Sequence, residues 1–408
     1  MATDANEEKL KSLKISSLDE ESDEDEPQND VVEDAVSDDD EDEEDRVSMT
    51  LGFAVTPENP WSLLRQYFPS KAGGTPAWLD PIHLPSGKGN LCDFCDEPLQ
   101  FLLQVYAPLP EESTFHRTLF VFMCPSMTCL LRDQHGQWKR HPETQSRSVK
   151  VFRCQLPKVN SFYSSEPPAV DGTEQPLTAG AMVCNWCGTW KGDKICSSCR
   201  KAHYCSGNHQ TSHWQSTNSS HKVICRQLGT SDNESVSGSI WPEYEITNED
   251  ECDFEDDVTD DNEPSNALVS KGRTDGSFGQ LETYLKGQGD NRSWASFQER
   301  ISLAPKQILR YSSSDLAKPL WPVSSGRPSN ADIPKCNYCG GNRAFEFQVL
   351  PQLLYFFHVQ DYEDSLDWAT IVVYTCEASC EGPMGYKDEF AWVQLASQSI
   401  SPPITTTT

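Results

Sequence analysis

The chain has 408 residues, a net charge of −30, 16 cysteines and a mean hydropathy of −0.60. That length holds roughly two or three domains, no run approaches the ~20 apolar residues that span a bilayer, and the opening MATDANEEKL shows no basic-then-apolar leader. Cysteines in that setting are expected as reduced thiols and metal ligands, in the cytoplasm and the nucleus, rather than as disulfides.

Residues 1–47 read as a disordered acidic tail. The first 50 residues carry 21 acids against 4 bases, and residues 231–265 carry 14 acids and no base. Those two tracts exceed the net charge of the whole chain between them, so the remainder is about neutral. Both are poor in apolar residues and cannot offset the entropy of ordering. They are either solubilising segments or polyanions that screen a basic partner. Direct DNA binding is not expected, because the tracts would repel phosphates.

Residues 48–170 change character. Aromatic and β-branched runs such as FLLQVY and TLFVFM are short and bounded by Pro and Gly, a strand pattern with no long helix. Cys92-x2-Cys95 precedes them and Cys124-x4-Cys129 follows. Cys154, inside a strand pattern, is not expected to bind metal.

Between residues 184 and 225 lies a comb of eight candidate ligands: Cys184, Cys187, Cys196, Cys199, Cys205, His209, His221 and Cys225. A tight turn places two thiolates at C-x2-C spacing, and zinc takes four such soft or borderline donors. Eight donors fill two closed sites and leave no place for a substrate water, which points to folding and binding. His203 and His213 are expected at the surface. The segment's five bases and one acid, offset by bound zinc and thiolates, leave too weak a positive surplus to point to nucleic acid.

Residues 226–330 read as an acidic, largely disordered linker, in which Cys252 stands alone. Residues 331–400 then repeat the earlier grammar, with Cys336-x2-Cys339, FEFQV, TIVVYTC and Cys376-x3-Cys380. The segment Phe101-Leu102-Leu103-Gln104-Val105 aligns with Phe345-Glu346-Phe347-Gln348-Val349. A duplicated β unit explains this, with the two copies packed in one pseudo-symmetric body. The fold class is therefore mainly β, or α+β: a duplicated strand-rich body split by a small zinc-stabilised finger, with disordered acidic segments. Each half offers four thiols for a zinc-ribbon-like site, or four buried reduced cysteines packing as small hydrophobes.

The comb resembles a MYND zinc finger in its paired C-x2-C turns, the Tyr204-Cys205-Ser206 step, Gln210-x3-Trp214 and His221-x3-Cys225. The resemblance implies interleaved sites, with Cys184, Cys187, Cys205 and His209 on one zinc and Cys196, Cys199, His221 and Cys225 on the other. It also implies a groove for proline-rich peptides lined by Gln210 and Trp214; simple packing over zinc is the alternative for Trp214. Outside the comb, GGTPAWLDP, LCDFCDEPLQFLLQVYAPLP, FHRTLFVFMC and VFRCQLP occur in an order similar to the programmed cell death protein 2 family. That resemblance implies a chaperone for a basic small-subunit ribosomal protein, acting in ribosome biogenesis. Such a role calls for an apolar or edge-strand groove plus negative charge. The competing expectation is a nuclear adaptor recruiting transcriptional regulators, and a histone-type chaperone is a weaker third. No enzyme is expected, since no P-loop, dinucleotide-binding turn or triad order is present.

Overall fold

The computed structural model describes residue 47 and residues 49–139, 146–216, 221–227, 241–255 and 291–395, apart from 315, 361, 363, 383 and 384. Residues 1–46 of the tail expected at 1–47, and residues 228–240 and 256–290 of the expected linker, lie outside the described residues.

The short apolar runs of the first half form β1 (Thr50–Val55), β2 (Lys71–Ala72), β3 (Gln100–Tyr106), β4 (His116–Met123) and β5 (Val149–Leu156). The finger supplies a small hairpin, β6 (Lys194–Ile195) and β7 (His203–Tyr204). Beyond it come β8 (Tyr244–Asp250), β9 (Gln307–Tyr311), β10 (Arg343–Val349), β11 (Thr370–Cys376) and β12 (Tyr386–Gln394). All but the finger hairpin close into one antiparallel barrel in the order β1-β8-β2-β3-β4-β5-β12-β11-β10-β9. No helix among the described residues is long and apolar enough to cross a membrane.

The duplication is visible in the barrel. The triplets β3-β4-β5 and β10-β11-β12 meet where β5 pairs with β12. Each carries a bulge at the same aligned place, between Phe101 and Leu103 and between Phe345 and Phe347. The aligned glutamines also do the same work. Buried Gln104 donates to the Pro69 carbonyl and accepts from the Ala77 amide, at 2.8 Å each. Buried Gln348 donates to the Leu320 carbonyl at 2.9 Å and accepts from its amide at 2.6 Å. In both halves an amide side chain satisfies the irregular segment that crosses the sheet, because a buried backbone group needs a partner.

Two expectations are corrected here. The stretch 226–330 is not simply a linker, since its described residues contribute β8, β9 and two helices. β8 belongs to the second acidic tract, yet Ile246 is buried, and just beyond the strand buried Glu251 accepts from Arg310 at 2.7 Å. Pairing to β1 over Glu245–Asp250, and to β2 at Tyr244 and Glu245, holds it in the barrel and outweighs its poor apolar content. Among the described residues the body also offers no strand with a single neighbour for strand addition, because each of the ten barrel strands has two; closure removes edge strands.

Helices are more prominent than the strand pattern suggested. α1 (Met127–Trp138) buries Asp133, Gln134 and Gln137 beside Cys129 and Leu130. Gln137 both donates to the Val393 carbonyl (3.0 Å) and accepts from its amide (2.9 Å), acting as a stand-in strand partner for β12. A helix whose buried face is polar leaves little apolar periodicity to read. The others are α2 (Gly207–Gln215) and α3 (His221–Gln227) in the finger, α4 (Cys252–Glu255), α5 (Asn291–Leu303) and α6 (Gln352–Phe356).

Inside the barrel, alternating residues such as Leu119, Val121, Val151, Val373 and Val393 form the main core. Period-two alternation carries the same faces on to Arg117, Arg153, Thr375 and Glu389. There the core becomes ionic. Arg117 donates to both carboxylate oxygens of Glu346, while Arg153 and Arg343 share Glu389.

Candidate metal centres

Four short turns build the sites, and all four use one device. After each C-x2-C pair the next residue adopts a left-handed conformation: Asp96 (φ 58°), Gly188 (65°), Arg200 (55°) and Gly340 (73°). Its amide returns to the carbonyl of the first cysteine, at 2.9 Å from Asp96, 2.8 Å from Gly188, 2.9 Å from Arg200 and 2.9 Å from Gly340. This knuckle presents both sulfurs to one point. Glycine enters that region freely, while Asp96 and Arg200 adopt it against an ordinary side-chain preference.

The donors that complete each set arrive from elsewhere. Cys124 follows β4, and Cys129 sits in the first turn of α1, which absorbs the longer x4 spacing. Cys376 ends β11, and a turn from Ser379 to the Cys376 carbonyl (2.9 Å) brings Cys380 alongside. In the finger, Ser206 caps α2 by accepting from the His209 amide, which fixes the helix that delivers His209.

The resulting sets are Cys92, Cys95, Cys124, Cys129; Cys184, Cys187, Cys205, His209; Cys196, Cys199, His221, Cys225; and Cys336, Cys339, Cys376, Cys380. Within each set all ligand atoms lie within 4.8 Å of one another. Closest approaches include Cys95 to Cys124 at 3.7 Å, Cys187 to Cys205 at 3.9 Å, Cys196 to Cys225 at 4.0 Å, Cys336 to Cys380 at 3.7 Å and Cys339 to Cys376 at 3.6 Å. A tetrahedron of zinc–sulfur bonds of ~2.3 Å has edges of about 3.8 Å, whereas a disulfide joins sulfurs at ~2.05 Å. All 16 cysteines are free thiols. The donor sets fit zinc. His209 offers Nδ1 to Cys205 (3.2 Å), and His221 offers Nε2 to Cys199 (3.4 Å).

The electrostatics ask for a cation. Cys92 is held down at about 5, first by its hydrogen bond with Cys124, and the same bond pushes Cys124 far above its ordinary range. Cys184 is driven low by hydrogen bonds from Cys187 and Cys205, while Cys205 is driven high by its bonds with Cys184 and Cys187. One sulfur holds charge only because a neighbour keeps its proton. A bound dication removes that conflict and lets every sulfur ionise.

The finger is docked on the body rather than hung from it. Trp190, fully buried, donates from Nε1 to the Leu99 carbonyl at 2.7 Å, and its ring lies 4.3 Å from that of Phe122. Trp78 returns a bond to the Thr189 carbonyl at 2.8 Å. Thiols Cys92, Cys124 and Cys129 of the body and Cys184, Cys187 and Cys196 of the finger thus share one apolar cluster. Spacing drew attention to the ligands and away from Trp190 and Trp78, which carry this junction.

The remaining residues fall into place around these sets. Gln210 and Trp214 lie one turn apart on α2; Gln210 is half-buried, and Trp214 is exposed, with its ring 6.0 Å from that of His221. His213, expected at the surface, is buried between Tyr204 and His221, with Nδ1 3.0 Å from the Tyr204 hydroxyl; the helix turn that exposes Trp214 turns its neighbour inward. His203 is half-buried beside the Gly192 carbonyl. Cys154 is buried on β5 and Cys252 is exposed at the start of α4, both apart from the four sets.

Comparison with known proteins agrees with this layout. Residues 48–170 match the programmed cell death protein 2 N-terminal domain, residues 291–395 the programmed cell death protein 2 C-terminal putative domain, and residues 184–225 the MYND finger. Programmed cell death protein 2 of Bos taurus is 38% identical over 354 residues, covering 84% of this chain and 95% of the relative. Programmed cell death protein 2-like of Homo sapiens is 29% identical over 334 residues, covering 77% and 86%. The probable 20S rRNA accumulation protein 4 of Schizosaccharomyces pombe is 28% identical over 133 residues, covering 28% and 32%. No solved structure matches the chain.

Proposed function

Since the chain belongs to the programmed cell death protein 2 family, we propose that it is a dedicated chaperone. Its client is a newly made, basic small-subunit ribosomal protein, and the complex serves ribosome biogenesis in the cytoplasm and nucleus. The observation that carries this reading is the family itself, together with similarity to a relative named for 20S rRNA accumulation. The acidic tail, with 21 acids against 4 bases in the first 50 residues, supports it by supplying charge to screen a basic client. Zinc here is structural, two ions in the finger and one in each half of the body. The role is one of binding, with no reaction assigned.

Purification of the tagged protein with its translating ribosomes, under mild salt, tests the reading. A nascent small-subunit ribosomal protein co-purifies if it holds; chromatin proteins in its place would replace it with the adaptor role. Deleting residues 1–46 weakens client binding roughly tenfold at low ionic strength and much less at high salt. Unchanged affinity at low salt reduces the tail to a solubility segment.

The exposure of Trp214, one turn from Gln210, favours a second, compatible activity of the finger as a groove for proline-rich peptides. Trp214→Ala then abolishes binding of a proline-rich peptide while metal content stays at the wild-type level. Loss of zinc in that variant would assign the tryptophan to packing.

A further inference from the structure

A cleft of about 1120 Å³ opens on the outer face of the barrel, where the two halves meet. Its floor is Phe152 of β5 and Tyr386 of β12, strands that pair across the seam. One wall is the 80–89 loop of the first half, and the other is formed by Glu381, Gly382 and Gly385, after the last cysteine of the second half, with Asp388 of β12. Cavities for small ligands run to about 300–1,000 Å³, and this one stands at the upper end of that range and open along the seam.

Its charge selects the occupant. Asp80, Glu112, Glu381 and Asp388 line it, against the basic groups Lys387, which is buried, and His83. Asp80 is already committed: Oδ1 accepts from the amides of Ile82 and His83, and Oδ2 meets His83 Nδ1 at 2.8 Å. Its carbonyl and amide are gripped by the Tyr386 hydroxyl at 2.9 and 3.0 Å, so it shapes the wall. Glu112, Glu381 and Asp388 face solvent. Beside Asp388 stands Tyr338, whose hydroxyl accepts from the Asp388 amide at 3.0 Å. A carboxylate next to an aromatic ring suits guanidinium, which pairs through two parallel hydrogen bonds and stacks on the ring; an ammonium does neither as well.

We propose that this cleft seats an extended, arginine-bearing segment of a partner protein. The inference rests on the chaperone reading and names where the molecule holds its client. With no single-neighbour strand to extend among the described residues, recognition falls to side chains, and this cleft gathers the carboxylates and aromatic rings that guanidinium requires.

The test uses the full-length protein and a fluorescein-labelled peptide of alternating arginine and glycine, followed by anisotropy near physiological salt. Glu381→Gln with Asp388→Asn lowers affinity at least about tenfold. Glu249→Gln with Asp250→Asn, which removes the same charge from exposed positions on β8, changes it less than about twofold. The lysine version of the probe binds several-fold more weakly than the arginine version. Equal losses in the two charge-matched variants overturn the proposal, because binding then belongs to diffuse acidity; equal binding of the two probes overturns it as well. Metal content and melting temperature confirm that each variant is folded, and Glu112→Lys on the other wall repeats the test if the double variant is not. Co-purification of a ribosomal client with the wild-type chain is scored separately, so failure of the cleft and failure of the chaperone reading give different results.

Discussion

Native mass spectrometry of the full-length protein returns four zinc ions per chain, and replacing Cys336 and Cys339 with serine returns three. The expectation rests on the identity of the four knuckles. The body turns at Cys92 and Cys336 share the left-handed residue and the amide-to-carbonyl closure of the finger turns at Cys184 and Cys196. Buried thiols that merely filled space would have no reason to converge four at a time at tetrahedral edge lengths. The expected effect is large. A structural zinc contributes an apparent ~10–16 kcal/mol at neutral pH, whereas a domain's net stability is ~5–15 kcal/mol. The serine variant therefore loses cooperative unfolding of the second half, and a chelator does the same to the wild-type chain. Acidification favours metal loss, because the ligands must shed protons to bind. A count of two ions, with both body clusters reduced and stable, returns those eight cysteines to ordinary packing.

Glu389→Ala destabilises the body by about 3–5 kcal/mol, read as a fall in the denaturant midpoint. Glu389 is buried and accepts from Arg153 Nε at 2.7 Å, from Arg343 Nε at 3.0 Å and from the Cys376 amide at 3.1 Å. Removing it leaves two buried guanidinium groups without their shared carboxylate, and that uncompensated charge costs more than the lost bonds themselves. The position matters further because the seam is short: β5 and β12 pair only over Tyr386 to Glu389. Arg153 also reaches the Cys380 carbonyl, and Glu389 holds the Cys376 amide, so both support ligands of the second-half cluster. Groups in that position typically tune metal affinity ~10–100-fold, and the variant loses zinc from this cluster at lower chelator concentrations than the wild type. A change below about 1 kcal/mol, with zinc retained, would show that water reaches the seam and screens the arginines.

How much of this was legible from residues alone differs by element. The repeat could be read because bulge and glutamine are local: Phe101 to Val105 and Phe345 to Val349 share their Phe, Gln and Val positions around the same kink. β8 could not, since its sequence YEITNED is mostly acidic and only pairing to β1 and β2 makes it a strand. α1 escaped for a related reason. Its buried Asp133, Gln134 and Gln137 hold backbone groups of distant strands, and a polar buried face carries no apolar period.

The sequence by itself determined the chemistry of the metal ligands, the duplication and the placement of acidic charge. Each depends on residues close in the chain, where a tight turn dictates which side chains meet. Only the tertiary structure decided that the barrel closes without an edge, that Trp190 welds the finger to the body, and that a cleft lies on the seam. Those features rest on partners such as Asp80 with Tyr386 and Arg117 with Glu346, 306 and 229 residues apart. Pairing across such distances is selected by burial and mutual satisfaction of polar groups, which leave no period or spacing in the chain.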